Sequence, residues 1–231
     1  MPCTTKGRAP CTARRDDAGD TGGRGLSRTG LAPARSSHSV LYAPFSVVLD
    51  ANVLIPLTVC DTLLGAANEG LVHIYWTELI LEETRRNLVK AMGLSEEKAT
   101  KRVAAMKRAF PEAMVTGHEG LIPAMTNDLN DRHVLAAAVH VGAQTIVTSN
   151  LRHFRKEHLP PSIQAQDPDT FLQHLLSQER GVMLELLRAQ AEALKNPPIS
   201  LAKLLEGMAR SVPKFVEEVR SFLPPPFNAS P

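Results

Sequence analysis

What most limits how this chain can fold is a succession of short apolar runs, each followed by a helix-length segment. Phe45-Ser-Val-Val-Leu49 fits a buried strand, and Thr58 to Glu69 reads as a helix closed by Gly70. Leu71 to Trp76 is a second strand. Thr77 then caps a helix running to about Met92, closed by Gly93. Ser95 caps another helix, with Glu96 and Glu97 in its first turn where the helix dipole favours them, and it stops near Pro111. Asp128 to Val141 is a helix apolar almost all round, as expected of one buried on both sides. Thr145 to Thr148 and Ile163 to Ala165 are the last strands. This alternation predicts an α/β fold with a parallel sheet and helices on both faces. Such sheets take their ligands beyond the carboxyl ends of the strands, where Asp50 and Asn150 both stand.

The alternation has limits at both ends. Residues 1–40 hold six of the fourteen glycines, with seven basic and three acidic residues, and no helix or strand period. They read as a disordered basic tail or as an over-extended gene start ahead of Val40, and both readings stay open. The segment lacks the apolar core of a secretory signal, and Asp16, Asp17 and Asp20 argue against a transit peptide. Past Asp167 the strands stop. Helices from Pro168 to Gln190 and onward, Ser200 to Met208 and Pro213 to Phe222 follow, broken by Asn196-Pro-Pro198 and ending in Pro224-Pro-Pro226. The division is therefore 1–40 tail, 41–176 α/β body and 177–231 helical extension. No apolar run reaches membrane-spanning length, and Cys3, Cys11 and Cys60 show neither disulfide nor zinc spacing, which fits a cytoplasmic protein. With the tail set aside the body is slightly acidic, so affinity for nucleic acid needs a local patch or a metal site.

The acids offer such a site. Asp50 ends the first strand, Glu82 and Glu83 lie on the Thr77 helix, Asp128 and Asp131 open the buried helix, and Asn150 follows the next strand. Carboxylates meeting at one sheet edge repel unless a cation neutralises them, and a hard, oxygen-seeking ion such as Mg²⁺ or Mn²⁺ suits them. That chemistry would activate water against a phosphodiester. Each residue also has a local explanation. Asp50 could form an Asx-turn, Asp128 an N-cap with Asp131 as its box partner, and Asn150 an ordinary turn. Helical geometry separates the two glutamates: Glu83 flanks the apolar face of Ile80, Leu81, Thr84 and Leu88, whereas Glu82 points to solvent among Arg85 and Arg86.

Four segments in order carry a resemblance: Val-Val-Leu-Asp50-Ala-Asn52, Leu81-Glu-Glu83, Asn130-Asp131-Arg-His-Val-Leu-Ala-Ala-Ala and Ile-Val-Thr148-Ser-Asn150-Leu-Arg-His-Phe154. Over about residues 45–173 the chain resembles the PIN-domain nucleases, most closely the VapC-type toxins of bacterial toxin–antitoxin pairs. The resemblance implies a PIN-like sheet and a metal-dependent endoribonuclease. Asp50, Glu83 and Asp131 would be its metal-site acids, and Asn52 and Thr148 their polar neighbours. It also implies a cognate antitoxin and a homodimer. The chain departs from the family pattern at Asn150, where a fourth acid is usual, and at His153, where Asp is common. Metal would then rest on three carboxylates, with Asn150 and Asp128 as further candidates.

Lys98, Lys101, Arg102 and Arg108 share one face of the Ser95 helix, and form either an RNA phosphate stripe or a solvated face. The histidines, His133 and His153 among them, show no zinc-like clustering and read as structural or surface groups. Cys60 reads as core. Two other functions stay open: a degenerate PIN fold acting as a binding or scaffold module, and a housekeeping RNA- or DNA-processing nuclease.

Overall fold

The computed structural model describes residues 45–194 and 198–224. The tail of residues 1–40, the start of the Asn196-Pro-Pro198 break and the final proline-rich residues lie outside the described part. Five strands make one sheet: β1 (Ser46–Leu49), β2 (His73–Thr77), β3 (Met114–Val115), β4 (Thr145–Val147) and β5 (Gln164–Gln166). Their order is β3-β2-β1-β4-β5, and every neighbouring pair is parallel. Val47, Val48 and Leu49 are fully buried, and Thr145, Ile146 and Val147 nearly so, because helices cover both faces.

The helices of the α/β body are α1 (Ala51–Leu54), α2 (Leu57–Asn68), α3 (Glu78–Lys90), α4 (Glu96–Ala109) and α5 (Arg132–Val141). The sequence-predicted caps are in place. Thr77 accepts from the Ile80 amide at 3.2 Å, and Ser95 from that of Lys98 at 3.3 Å. Chain order places β2 and β3 on one side of β1, and β4 and β5 on the other. The connections reverse between β1 and β4, and there the carboxyl ends open a crevice.

Local details differ from the sequence reading. The residues after Asp50 form the single-turn α1 rather than a loop. The two-residue β3 has too few side chains to show a period. The helix expected from Asp128 starts as a 3₁₀ turn, Leu129–Asp131, before α5 begins. The long segment after Pro168 divides into α6 (Pro168–Gln178) and α7 (Arg180–Ala193) at Glu179, whose φ of −135° and ψ of 62° interrupt the helix two residues before Gly181. α8 (Leu201–Met208) and α9 (Pro213–Ser221) follow.

The C-terminal helices are built into the core. Leu172 and Leu176 of α6, Met183 and Leu187 of α7, Leu205 of α8 and Phe215 of α9 belong to the same buried cluster as Val59, Leu63 and Ala66 of α2. A polar clasp seals the α2–α7 contact: the Thr62 hydroxyl donates to Gln190 Oε1 at 2.8 Å, and Gln190 Nε2 donates to the Thr58 carbonyl at 2.9 Å. No helix among the described residues is long and apolar enough to cross a membrane.

Candidate metal centre

Asp50 is the anchor of the crevice. Its backbone amide donates to the Val147 carbonyl at 3.1 Å, extending the β1–β4 pairing by one residue beyond β1. Its side chain caps α1, with Oδ1 accepting from the Ala51 amide at 2.7 Å. The turn reading and the site reading of this residue are therefore compatible, since one carboxylate has two oxygens. The second, Oδ2, accepts from the Thr148 hydroxyl at 2.7 Å and from Asn52 Nδ2 at 2.5 Å.

Thr148 is a hub. It is fully buried, and besides donating to Asp50 its oxygen accepts from Asn52 Nδ2 at 3.1 Å and from the Asn150 amide at 3.0 Å. Asn52 Oδ1 in turn accepts from the Ser149 amide at 2.8 Å. Asp50, Asn52 and Thr148 thus tie the end of β1 to the turn after β4 with every contact satisfied. Asn150 enters this network through its backbone amide.

Asp50 is 3% exposed, and burial pushes its carboxyl above the ordinary aspartate range. The Thr148 and Ala51 hydrogen bonds work against the rise. The negative charges of Asp131 and Glu83 add to it, which brings those two acids into the same field. Glu83 comes from α3 with its side chain 27% exposed, against 42% for Glu82. Glu82 is held outward by Arg85 at 2.7 Å, and Arg85 also pairs with Glu96. Glu83 lies 4.0 Å from Arg86 on the same helix and 3.6 Å from His133 of α5.

Asp131 closes the 3₁₀ turn ahead of α5. The structure gives it no box-partner role, because its side chain makes no capping bond. Instead its Oδ2 lies 2.5 Å from His153 Nδ1. Asp128 does cap, accepting from the Asn130 amide at 3.1 Å, although the element capped is the 3₁₀ turn. Asp128, Asp131 and His153 each offer a ligand atom, all within 4.8 Å of one another.

Two histidines have surroundings that local sequence did not indicate. His153 lies 22 residues from Asp131 in the chain, and the short turns after β4 carry it to that carboxylate. His133 is 5% exposed on α5, with Nε2 3.6 Å from Glu83 Oε1 and neither ring nitrogen hydrogen-bonded. Its position in the first turn of α5 faces α3, and nothing in local periodicity distinguishes that side from a core side.

The basic stripe is half occupied. Lys101 pairs with Glu97 at 2.5 Å, and Arg102 is turned onto α2, where it pairs with Asp61 at 2.8 Å. Lys98 and Arg108 are exposed. A cavity of about 350 Å³ lies elsewhere, between α2 and α7, lined by Asp61, Gly65, Leu186 and Gln190 among others.

A hard divalent cation would suit these carboxylates, since the charges of Asp131 and Glu83 act on Asp50 and a cation would remove that repulsion; among the described residues the ligand atoms that lie within 4.8 Å of one another are those of Asp128, Asp131 and His153.

Comparison with known proteins gives two family-model matches, one described as PIN domain over residues 46–152 and one as VapC50 C-terminal domain over residues 168–221. A curated Mycobacterium tuberculosis protein named "Putative ribonuclease VapC50" is 38% identical over 113 residues, spanning 48% of this chain and 67% of that protein. No solved structure matches the chain.

Proposed function

Since the chain belongs to the PIN-domain family, we propose that it is a metal-dependent endoribonuclease, the toxin of a type II toxin–antitoxin pair. The observation that carries this reading is Asp50, buried at the sheet's switch point and within the electrostatic reach of the Asp131 and Glu83 carboxylates. The relative named as a ribonuclease and the VapC50-type C-terminal domain support it further.

In this reading Asp50, Glu83 and Asp131 hold Mg²⁺ or Mn²⁺. Such an ion, once bound, supplies a water nucleophile at neutral pH and offsets charge growing on the phosphate. Thr148 and Asn52 fix Asp50 Oδ2, and the Ala51 amide fixes Oδ1, so the carboxylate is oriented before substrate arrives. Asn150 contributes no negative charge. Lys98 and Arg108 remain available for RNA phosphates, whereas Arg102 is committed to Asp61. A cognate antitoxin and homodimerisation are part of the proposal. The domain limits proposed with it are a tail over 1–40, a nuclease body over 41–176 and a helical extension over 177–231.

The test is RNA cleavage by purified protein with Mg²⁺ or Mn²⁺, comparing the wild type with Asp50→Asn, Glu83→Gln and Asp131→Asn at matched folded concentration. We expect cleavage by the wild type, and a loss of about 10²-fold or more in each variant. Cleavage that survives in Asp50→Asn and Asp131→Asn would remove the site from the mechanism. The neutral Asn150 favours one second reading, a binding module on a degenerate PIN fold. Calorimetry showing no Mg²⁺ or Mn²⁺ uptake by the wild type would select it.

A further inference from the structure

An RNA strand brought to three carboxylates meets a charge problem. On the proposed reading one divalent ion would leave Asp50, Glu83 and Asp131 net negative, and a polyanion is repelled unless fixed cations stand beside it. Screening limits their reach to about 8 Å at physiological salt, so only neighbours of the crevice count.

The segment that follows β4 meets that requirement. It makes two 3₁₀ turns, Leu151–His153 and Lys156–His158, and sets Arg152, Arg155 and Lys156 against the single acid Glu157. All three cations are exposed. The segment is tied twice to the loop that carries Asp128 and Asp131. His153 Nδ1 lies 2.5 Å from Asp131 Oδ2, and His158 Nδ1 lies 3.1 Å from the Thr126 hydroxyl. Between those ties Phe154 is buried and anchors the chain. The amides of His153, Phe154 and His158 donate at 2.9, 3.0 and 2.9 Å to carbonyls three residues back, so the row of cations is ordered in advance.

Little else engages these cations. Arg152 Nε donates to His153 Nε2 at 3.1 Å, which sets its guanidinium beside the Asp131 contact and leaves both Nη groups without a partner among the described residues. Arg155 reaches Glu157 only at 3.8 Å, in an exposed pair of small energetic weight. Lys156 pairs with no carboxylate among the described residues. On α4, by contrast, Lys101, Arg102 and Lys107 are spent on Glu97, Asp61 and Glu78, and the helix packs on α3.

We propose that Arg152, Arg155 and Lys156 form the main track that grips the phosphates of an RNA strand laid across the crevice. The inference rests on the RNA substrate of the nuclease reading and says how that strand is held. The Arg152 fork takes the phosphate nearest the carboxylates, and Arg155 and Lys156 follow along the strand. Contacts of this kind supply affinity and register but no sequence preference.

The test is fluorescence anisotropy of labelled single-stranded RNAs of differing sequence with the full chain in EDTA, across a salt series. EDTA prevents cleavage and makes the readout independent of any metal. Arg152→Ala with Lys156→Ala is compared with the charge-matched Arg210→Ala with Lys214→Ala in the C-terminal extension, and with Lys98→Ala with Arg108→Ala on α4. Each is checked for folding by circular dichroism. Removing the turn pair should weaken binding about tenfold for every RNA, and lower the slope of log affinity against log salt by about 0.7 per contact. Loss of Arg210 and Lys214 should leave affinity within about twofold of wild type. Equal losses in those two double variants, a greater loss in the α4 pair, or a loss confined to one RNA sequence overturns the track. A wild type that binds no RNA overturns it too, and binding of polyglutamate in its place would reassign the turn to an acidic protein. Mn²⁺ uptake by the wild type is measured separately by calorimetry. The expected RNA pattern without uptake removes the metal-nuclease reading and leaves the track standing.

Discussion

Asp50 sits where burial and hydrogen bonding pull its carboxyl in opposite directions. Burial dominates and raises its pKa, the bonds from Thr148 and Ala51 oppose the rise, and the Asp131 and Glu83 charges reinforce it. Folding therefore favours the protonated form. The stability tied to this proton is present in full below the ordinary aspartate value of 3.8, and is lost as pH rises through the raised value. On the proposed reading a divalent cation takes the place of the proton. We expect the rise in melting temperature caused by Mn²⁺ to grow as pH is taken from acid to neutral, and to shrink sharply in Asp50→Asn. A cation effect independent of pH would contradict this. Thr148→Val keeps the shape but removes the hub, leaving Asp50 Oδ2 and the Asn150 amide short of a partner. Denaturant titration should show a loss of about 1–3 kcal/mol, with slower cleavage alongside. Cys60 is the inert case: burial pushes its thiol up to about 11. Thiol reagents at neutral pH should modify it only on unfolding, which a mass-based labelling time course would read.

Among the helices, α9 is held by a residue of α6. Asp169 accepts from the Lys214 amide at 3.1 Å and the Phe215 amide at 2.7 Å, so its carboxylate caps a helix 45 positions further along the chain. Val212, the residue in the capping position itself, offers no side-chain acceptor. Asp169→Ala should cost about 1–2 kcal/mol, and hydrogen exchange should show α9 amides opening before those of the sheet. Unchanged α9 protection would show that Phe215, Val216 and Val219 hold the helix without the cap. The α2–α7 contact is equally close. A Cβ on Gly65 would lie 2.8 Å from Leu186 Cδ1, so the small residue sets the spacing of the two helices, though the end of a leucine can yield.

At the scale of the molecule, one buried cluster runs from the sheet through α2 into α6, α7, α8 and α9. A chain cut after Gln178 would uncover Val59, Leu63 and Ala66 of α2 and strip Thr62 of its Gln190 partner. We expect that truncation to aggregate or to melt well below the full chain in a thermal scan. A stable, monomeric product with unchanged melting would instead mark the extension as an independent unit.

The sequence by itself determined the strand–helix alternation, the caps at Thr77 and Ser95 and the placement of Asp50 at a strand end. These depend on periodicity and on neighbours a few residues away, which is the range over which side chains report their own surroundings. It also carried the resemblance that located Asp131. Only the tertiary structure decided that His153 meets Asp131, that His133 is buried without a partner against Glu83, that Asp169 caps α9 and that Arg102 is spent on Asp61. Each of those contacts joins side chains from separate elements across loops whose paths the local pattern does not encode. Histidine and aspartate fit equally well on a surface, at a cap or in a site, so their role is fixed by the partner that folding brings to them.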